Sequence, residues 1–258
     1  MMKSPRLLPA LLVVLAVDVV LAAQSPPSFE VASVKSNKSA APPTGLVGGQ
    51  RGGLTLTNLS VRQLIIKAYK LQDFQLVGGP RWIDSEHFDI NAKTDGETTA
   101  DQKWLMLQAL LVDRFQLRVH RETRERLVYT LVLARKDRKL GPNLRLSQGP
   151  CGVGAAMPCG GLAISRFGTL SARSLPLSDF AVRALSFILG QTVRDNSGLG
   201  RNYDIDLKWD PQTSEGRASS ERPSIFAAVQ EQLGLKLEPH RGPVTILVID
   251  QVERPTPD

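Results

Sequence analysis

The chain has 258 residues, of which 42% are hydrophobic, and a formal net charge of +7. This length and apolar content are sufficient to bury a hydrophobic core, either in one large domain or in two small ones. An excess of basic residues suits an anionic partner, although most surface charge simply keeps a protein solvated.

The N-terminal segment has the pattern of an export signal. Two basic residues precede an apolar run over 7–21, and small residues follow it at Ala22 and Ala23. The run is shorter than the roughly 20 apolar residues of a membrane span, and Asp18 interrupts it. An uncleaved anchor is the alternative. We therefore predict a signal peptide over 1–23, a periplasmic or secreted protein, and no membrane span once the signal is cleaved.

The first half of the mature chain predicts strands that alternate with two helices. Ser60 with Gln63, and Thr99 with Gln102, have the spacing of capping boxes at helix starts. Period-2 and helical spacings of apolar residues locate the other elements. In chain order we predict strands 29–35 and 54–58, helix 60–69, strands 74–77 and 87–93, helix 99–112, and a hairpin of strands 115–119 and 128–133 that turns at 122–126.

The second half predicts a similar order of elements. Apolar residues between Leu177 and Leu189 recur at i, i+3, i+4 and i+7, which is typical of an amphipathic helix. Apolar residues alternate with polar ones from Tyr203 to Trp209, which indicates a half-buried strand. In chain order we predict strand 168–172, helix 177–189, strands 192–194 and 203–209, a helix that ends at Gly234, and a hairpin of strands 235–240 and 244–249.

Corresponding elements of the two halves lie about 115 to 120 positions apart, which indicates an internal repeat. Residues 88–90 match 203–205, and residues 120–121 match 240–241. We therefore predict an α+β fold of two tandem small α/β modules, each β-α-β-β-α-β-β, with the helices packed on one face of a short mixed sheet. The predicted boundaries are 28–135 for the first module, 136–167 for a cysteine-containing linker loop and 168–254 for the second module.

The two cysteines, Cys151 and Cys159, lie in a stretch rich in glycine and proline. An exported chain meets an oxidising environment, so an even pair at short spacing predicts a structural disulfide. Free thiols are the alternative. A zinc site would need more ligands than two thiols, and no histidine lies nearby. We therefore predict no metal and no cofactor.

The second half resembles the short N-terminal domains of secretins and TonB-dependent receptors. This resemblance rests on the segments LSDFAVRALSFILGQTVRD and SIFAAVQEQLGLKLEPHRGPVTILVI, which cover most of 175–249. Domains of that kind bind periplasmic proteins and carry no chemistry, so the resemblance implies a binding role.

Over most of its mature length the chain is also similar to the acidobacterial soil-associated family of secreted proteins of unknown function. The similarity rests on four blocks, which are FEVASVK (29–35), GGPRWIDSEHFDI (78–90), LLVDRFQLRVHRETRE (110–125) and EQLGLKLEPHRGPVTILVIDQVERP (231–255). It implies export and a shared fold, and it implies no activity.

Residues with catalytic chemistry are few. The three histidines, His87, His120 and His240, have no His or Cys partner at metal-ligand spacing. No serine is flanked as a nucleophile should be. One possible motif site remains, formed by Trp82, Asp84, Glu86 and His87.

Basic residues gather around the first predicted hairpin. They could dock an acidic polymer or protein, and a solvated face is the alternative. This candidate surface comprises Arg118, His120, Arg121, Arg124 and Arg126. Export argues against nucleic acid as the partner.

These observations predict an exported, non-enzymatic binding protein of the cell envelope without catalytic residues. The expected partner is an envelope protein or an anionic envelope polymer. The alternative is a periplasmic or secreted hydrolase with a site between the two modules that uses Asp84, Glu86 or His87.

Overall fold

A computed structural model describes residues 27–47, 53–148, 157–211 and 222–255. Besides a short 3₁₀-helix over Asp73–Gln75, the helices in these ranges are α1 (Val61–Ala68), α2 (Trp82–Ser85), α3 (Ala100–Phe115), α4 (177–189) and α5 (Ile225–Leu233). The strands are β1 (Val31–Asn37), β2 (Thr44–Val47), β3 (Leu54–Ser60), β4 (Leu76–Gly78), β5 (His87–Lys93), β6 (Arg118–Leu133), β7 (Leu144–Leu146), β8 (Gly161–Ser165), β9 (Thr169–Pro176), β10 (Thr192–Asp195), β11 (Asn202–Lys208) and β12 (Leu235–Gln251).

The predicted capping boxes begin α1 and α3. The Ser60 hydroxyl accepts the Gln63 N–H at 3.3 Å, and the Gln63 side-chain oxygen accepts the Ser60 N–H at 3.0 Å. Thr99 and Gln102 form the same reciprocal pair. Each box satisfies backbone donors that have no partner within the first turn of a helix, so these two helix starts are fixed locally.

Helix α4 occupies the predicted range but is not a uniform α-helix. Its central segment, Phe180–Leu185, is a π-helix between two α-helical ends. The Ser186 hydroxyl donates to the Ala181 carbonyl at 2.9 Å and accepts the Val193 N–H at 2.9 Å. Ser186 therefore ties the wide turn of α4 to the first residues of β10.

The strands form three four-stranded sheets. The first outer sheet has the order β1-β5-β3-β2, and the second outer sheet has the order β7-β11-β9-β8. The third, which we call the shared sheet, has the order β10-β6-β12-β4. Each strand number of the second outer sheet is six greater than that of the strand at the same place in the first.

The two predicted hairpins are wrong. Strands β6 and β12 run without a turn for 16 and 17 residues, and they pair antiparallel with each other along almost their whole length. The residues predicted to turn lie opposite each other, with Arg126 facing Gly242 and Glu125 facing Pro243. A long partner strand satisfies the backbone donors and acceptors that a local hairpin would have paired, so these polar residues stay extended.

The shared sheet takes two strands from each half of the chain. Strand β4 pairs parallel with the end of β12, and β10 pairs parallel with the end of β6. The structure therefore confirms a mixed α/β fold with several sheets. It does not confirm two separate tandem modules, because strands of both halves pair in the shared sheet.

The predicted linker loop over 136–167 contains two strands. Strand β7 pairs with β11, and β8 pairs with β9, so each forms an edge of the second outer sheet. Leu144 of β7 is 3% exposed, and Leu162 and Ile164 of β8 pack against the core. These isolated apolar residues lie among glycine and proline, which is why local composition indicated a loop. Strand β2 lies in another segment predicted to be a loop, 36–53.

Two large apolar cores lie at the two ends of the shared sheet. One contains residues of α1, α3 and the first outer sheet together with Leu247 and Ile249 of β12. The other contains residues of α4, α5 and the second outer sheet together with Leu235 and Leu237 of β12. Strand β12 thus supplies both cores, and it links the two halves of the protein more firmly than a flexible tether would.

Some predictions concern residues outside the described ranges. The signal peptide over 1–23 lies there, and so does Cys151, so cleavage and the disulfide with Cys159 stay predictions. Among the described residues, no helix is long and apolar enough to cross a membrane.

Candidate functional site

The candidate basic residues lie on strand β6, where successive side chains point to opposite sides of the sheet. Arg118, His120, Arg124 and Arg126 are an even number of positions apart and share one side. Arg121 is on the other side. Burial raises the pKa of the Tyr69 phenol, and the positive charge of Arg121 partly offsets that rise. The structure therefore brings four of the five predicted residues together and separates the fifth.

Strand β12 completes this side of the shared sheet. His240 is paired with Val128 in the register, and Val244 with Arg124. We call this surface the basic face, and it comprises Arg118, His120, Arg124, Arg126 and His240. A small third core lies within it, formed by Val128, Val244 and Ile246, with Val77 and Val248 packed against them.

Strands alone supply this third core, whereas the helices contribute to the two large cores on the opposite side. Arginine side chains carry long apolar stems that can cover valine and isoleucine while the guanidinium remains in water. A strip of apolar side chains edged by guanidinium groups therefore runs along the basic face.

Two acidic residues compensate part of the charge on the basic face. Glu122 accepts a 2.7 Å hydrogen bond from the Arg124 guanidinium, which lowers the pKa of Glu122 below its ordinary value. Asp250 lies 2.8 Å from the Nδ1 atom of His120. Within the described ranges neither Arg118 nor Arg126 forms an ion pair, so these two charges remain uncompensated by a neighbour.

Arg194 contributes a further guanidinium that sequence reasoning missed. It is part of β10 and is paired with Thr130 of β6 in the parallel register. Its Nη2 atom donates to the carbonyl oxygen of Pro243 at 2.6 Å, and a bond to a neutral carbonyl leaves the positive charge in place. No local pattern could have found this contact, because it depends on the pairing of strands far apart in the sequence.

The possible motif site divides into separate contacts. The Nε and Nη2 atoms of Arg254 donate three hydrogen bonds to the Glu86 carboxylate, the shortest at 2.7 Å. The guanidinium carbon of Arg254 lies 5.0 Å from the centre of the Trp82 ring. This pairing lowers the pKa of Glu86 and raises the pKa of Arg254. The C-terminal segment is thereby held against α2.

Asp84 and His87 have other neighbours. Asp84 lies 3.7 Å from the Arg62 guanidinium, and the Nδ1 atom of His87 lies 3.2 Å from the Ser85 carbonyl oxygen. His87 and Glu86 also line a cavity of about 450 Å³ with residues 36–39. In the part of the chain that the structure describes, no three His, Cys, Asp or Glu residues are placed to hold a metal ion. Glu86 and His87 thus share one cavity, whereas Asp84 contacts Arg62 and Trp82 contacts Arg254.

Comparison with protein families gives one match. A model of a family of proteins of unknown function, DUF3738, matches residues 62–252, which is more than half of the chain. The chain belongs to this family. The DUF3738 match covers the shared sheet and the second outer sheet, whereas β1, β2 and β3 of the first outer sheet precede it. No curated protein and no solved structure matches the chain.

Membership of DUF3738 confirms the expectation of an uncharacterised family. It does not extend to an acidobacterial origin, and the likeness to secretin and TonB-dependent receptor domains is likewise without support from these comparisons. The description of the family names no reaction, so the function has to be argued from the residues.

Proposed function

We propose that the protein is an exported, non-enzymatic binding protein of the cell envelope, and that it holds an anionic polymer against the basic face of the shared sheet. The observation that carries this proposal is the clustering of Arg118, Arg124, Arg126 and Arg194 on strands that no helix core covers on that side.

The chemistry of the basic face suits carboxylate or phosphate groups. Arginine presents several N–H donors in a planar fork that matches both anions, and it keeps its charge at any pH a cell envelope reaches. Arg124 and Arg126 are two positions apart on a strand, so their side chains leave the sheet about 7 Å from one another. A linear polymer with charges at similar spacing could contact both.

Two further features belong to this proposal. The apolar run over 7–21 supports export, and export would place the basic face among envelope polymers. The matching strand orders of the two outer sheets support an internal repeat, in which two copies of one α/β unit exchange strands in the shared sheet. The polymer-binding face is then the surface that the two copies build jointly.

Binding to defined polyanions tests the proposal. The chain without residues 1–23 should bind polygalacturonate or inorganic polyphosphate in isothermal titration calorimetry, and it should not bind neutral dextran. The affinity should fall as ionic strength rises, because the contacts are exposed charges. Arg126→Glu should weaken binding about tenfold, or about 1.4 kcal/mol.

Arg121→Glu is the matched control. It changes the net charge by the same amount on the same strand, but on the opposite side of the sheet, and it should leave the affinity nearly unchanged. Equal losses for the two variants would show that only net charge matters. No binding to either polyanion at low ionic strength, or capture of a protein partner that Arg126→Glu does not disturb, would overturn the proposal.

Export is tested separately with a reporter. Residues 1–26 fused to alkaline phosphatase should give an enzyme that is active outside the cytoplasm, and removal of residues 7–21 should abolish that activity. An inactive fusion would contradict export, and therefore a role in the cell envelope. Polyanion binding by the purified protein could still be measured.

A further inference from the structure

The second half of the protein contains a cavity of about 650 Å³ that is separate from the basic face. It lies where the end of α4, the start of α5, the end of β8 and the residues after β11 meet. Its volume is within the range of about 300 to 1,000 Å³ that is usual for small-molecule sites. The side chains that matter for the argument are Tyr129, Ile164, Phe187, Leu189, Trp209 and Phe226.

Two aromatic rings that line this cavity are exposed and lie outside the hydrophobic core. Phe187 is 65% exposed and Phe226 is 42% exposed, and neither belongs to the apolar cluster behind them. The Phe226 ring packs against Tyr129 with centroids 5.5 Å apart, so it is held in place at the cavity wall. Trp209 is 4% exposed and also lines the cavity. Exposed aromatic side chains gathered around a concavity are typical of a binding site.

The charged groups of the cavity indicate which way a ligand would lie. Arg166 lines the cavity, is exposed, and forms no ion pair among the described residues. The Arg166 guanidinium carbon lies 4.9 Å from the Phe167 ring centre, so this side of the cavity carries a positive group.

We propose that this cavity binds a single-chain carboxylic acid, with the hydrocarbon chain among the aromatic and aliphatic walls and the carboxylate at Arg166. This site is distinct from the basic face, because Tyr129 is an odd number of positions from Arg126 on β6 and so points to the opposite side of the shared sheet.

Titration with free carboxylates of increasing length tests the site. Octanoate, decanoate and dodecanoate, each below its micelle concentration, should change the fluorescence of Trp209. The affinity should rise by up to about fourfold for every added CH₂ until the cavity is full. The alcohol of the same length should bind at least about tenfold more weakly, because it lacks the charge-assisted bond to Arg166.

Two exposed positions give variants that should fold normally. Phe187→Ala should weaken dodecanoate binding about tenfold, whereas Val182→Ala, at an exposed apolar residue of the same helix but outside the lining, should not change it. Arg166→Ala should remove the difference between acid and alcohol. Affinity that is independent of chain length, equal losses for Phe187→Ala and Val182→Ala, or an acid preference that survives Arg166→Ala would each overturn the assignment.

Discussion

The backbone N–H of Asn58 donates a hydrogen bond of 2.8 Å to the side-chain carboxylate of Asp89. Asn58 has a φ of 56°, a left-handed conformation that is uncommon for a residue with a side chain, and it lies where the register between β3 and β5 shifts. The carboxylate therefore supplies an acceptor for a donor that the bulge takes out of the strand ladder.

The other half repeats this arrangement. Ser174, with a φ of 48°, donates its backbone N–H to the Asp204 carboxylate at 2.9 Å, where the register between β9 and β11 shifts. We predict that Asp89→Ala and Asp204→Ala each lower the free energy of unfolding by about 1.5 to 3 kcal/mol, because a bond to a charged acceptor is lost. The corresponding Asn variants should lose less, since the amide oxygen can still accept. Urea unfolding measures all four.

Asp101→Ala is the control for these variants. Asp101 also forms a short contact, 2.6 Å from the Lys70 ammonium, but both side chains are exposed. An exposed ion pair contributes less than about 1 kcal/mol, so this variant should stay close to the parent protein. If Asp89→Ala and Asp204→Ala were no more destabilising than Asp101→Ala, the carboxylates would not be holding the bulges.

The pairing of β6 with β12 predicts a specific cross-link. Thr123 and Thr245 face each other in the register, and both are exposed. Cysteines at paired positions of neighbouring strands lie within the Cα separation of about 4.4 to 6.8 Å that a disulfide allows. Thr123→Cys with Thr245→Cys should therefore form a disulfide on mild oxidation, and peptide mass spectrometry should identify it.

A second cysteine pair distinguishes the extended pairing of β6 with β12 from two local hairpins. Arg121→Cys with Arg126→Cys would be brought together by a turn at 122–126, but in an extended strand the two positions are about 16 Å apart. This pair should remain unlinked. Cross-linking of Arg121→Cys with Arg126→Cys, and none between positions 123 and 245, would contradict the shared sheet.

Local sequence signals were reliable where the structure depends on neighbouring residues. The starts of α1 and α3 follow from Ser60 and Thr99, because a capping box closes within four residues. The range of α4 follows from its apolar spacing, but its π-helical turn depends on Ser186 bonding to Val193 across a loop. The spacing of apolar residues along the helix does not reveal that hydrogen bond.

Signals were unreliable where the partner of a segment lies in the other half of the chain. Residues 122–126 are polar and contain no apolar alternation, which predicts a turn. In the structure their backbone pairs with β12 instead. For the same reason the candidate site was found only in part. Alternation along β6 separates Arg121 from Arg126, and Arg194 joins the basic face only through the pairing of β10 with β6.

The contact between Glu86 and Arg254 predicts a pH-dependent change at the C-terminal segment. The hydrogen bonds from Arg254 lower the pKa of Glu86 in the folded protein. A carboxylate with a lowered pKa contributes its full stabilisation above its unfolded pKa of about 4.3, and the contribution is lost as the pH falls through the folded value. The neighbouring Glu253 N–H, which donates to the Phe115 carbonyl at 2.7 Å, should report the loss.

Hydrogen exchange of the Glu253 amide measures this effect. After correction for the intrinsic pH dependence of exchange, its protection should be constant above about pH 5 and should fall at lower pH. Glu86→Gln should reduce the protection at neutral pH and remove its acid dependence. Glu122→Gln is the matched control, since Arg124 lowers the pKa of that carboxylate too, but the pair lies on the basic face. Acid-induced loss that persists in Glu86→Gln would mean that another group holds the C-terminal segment in place.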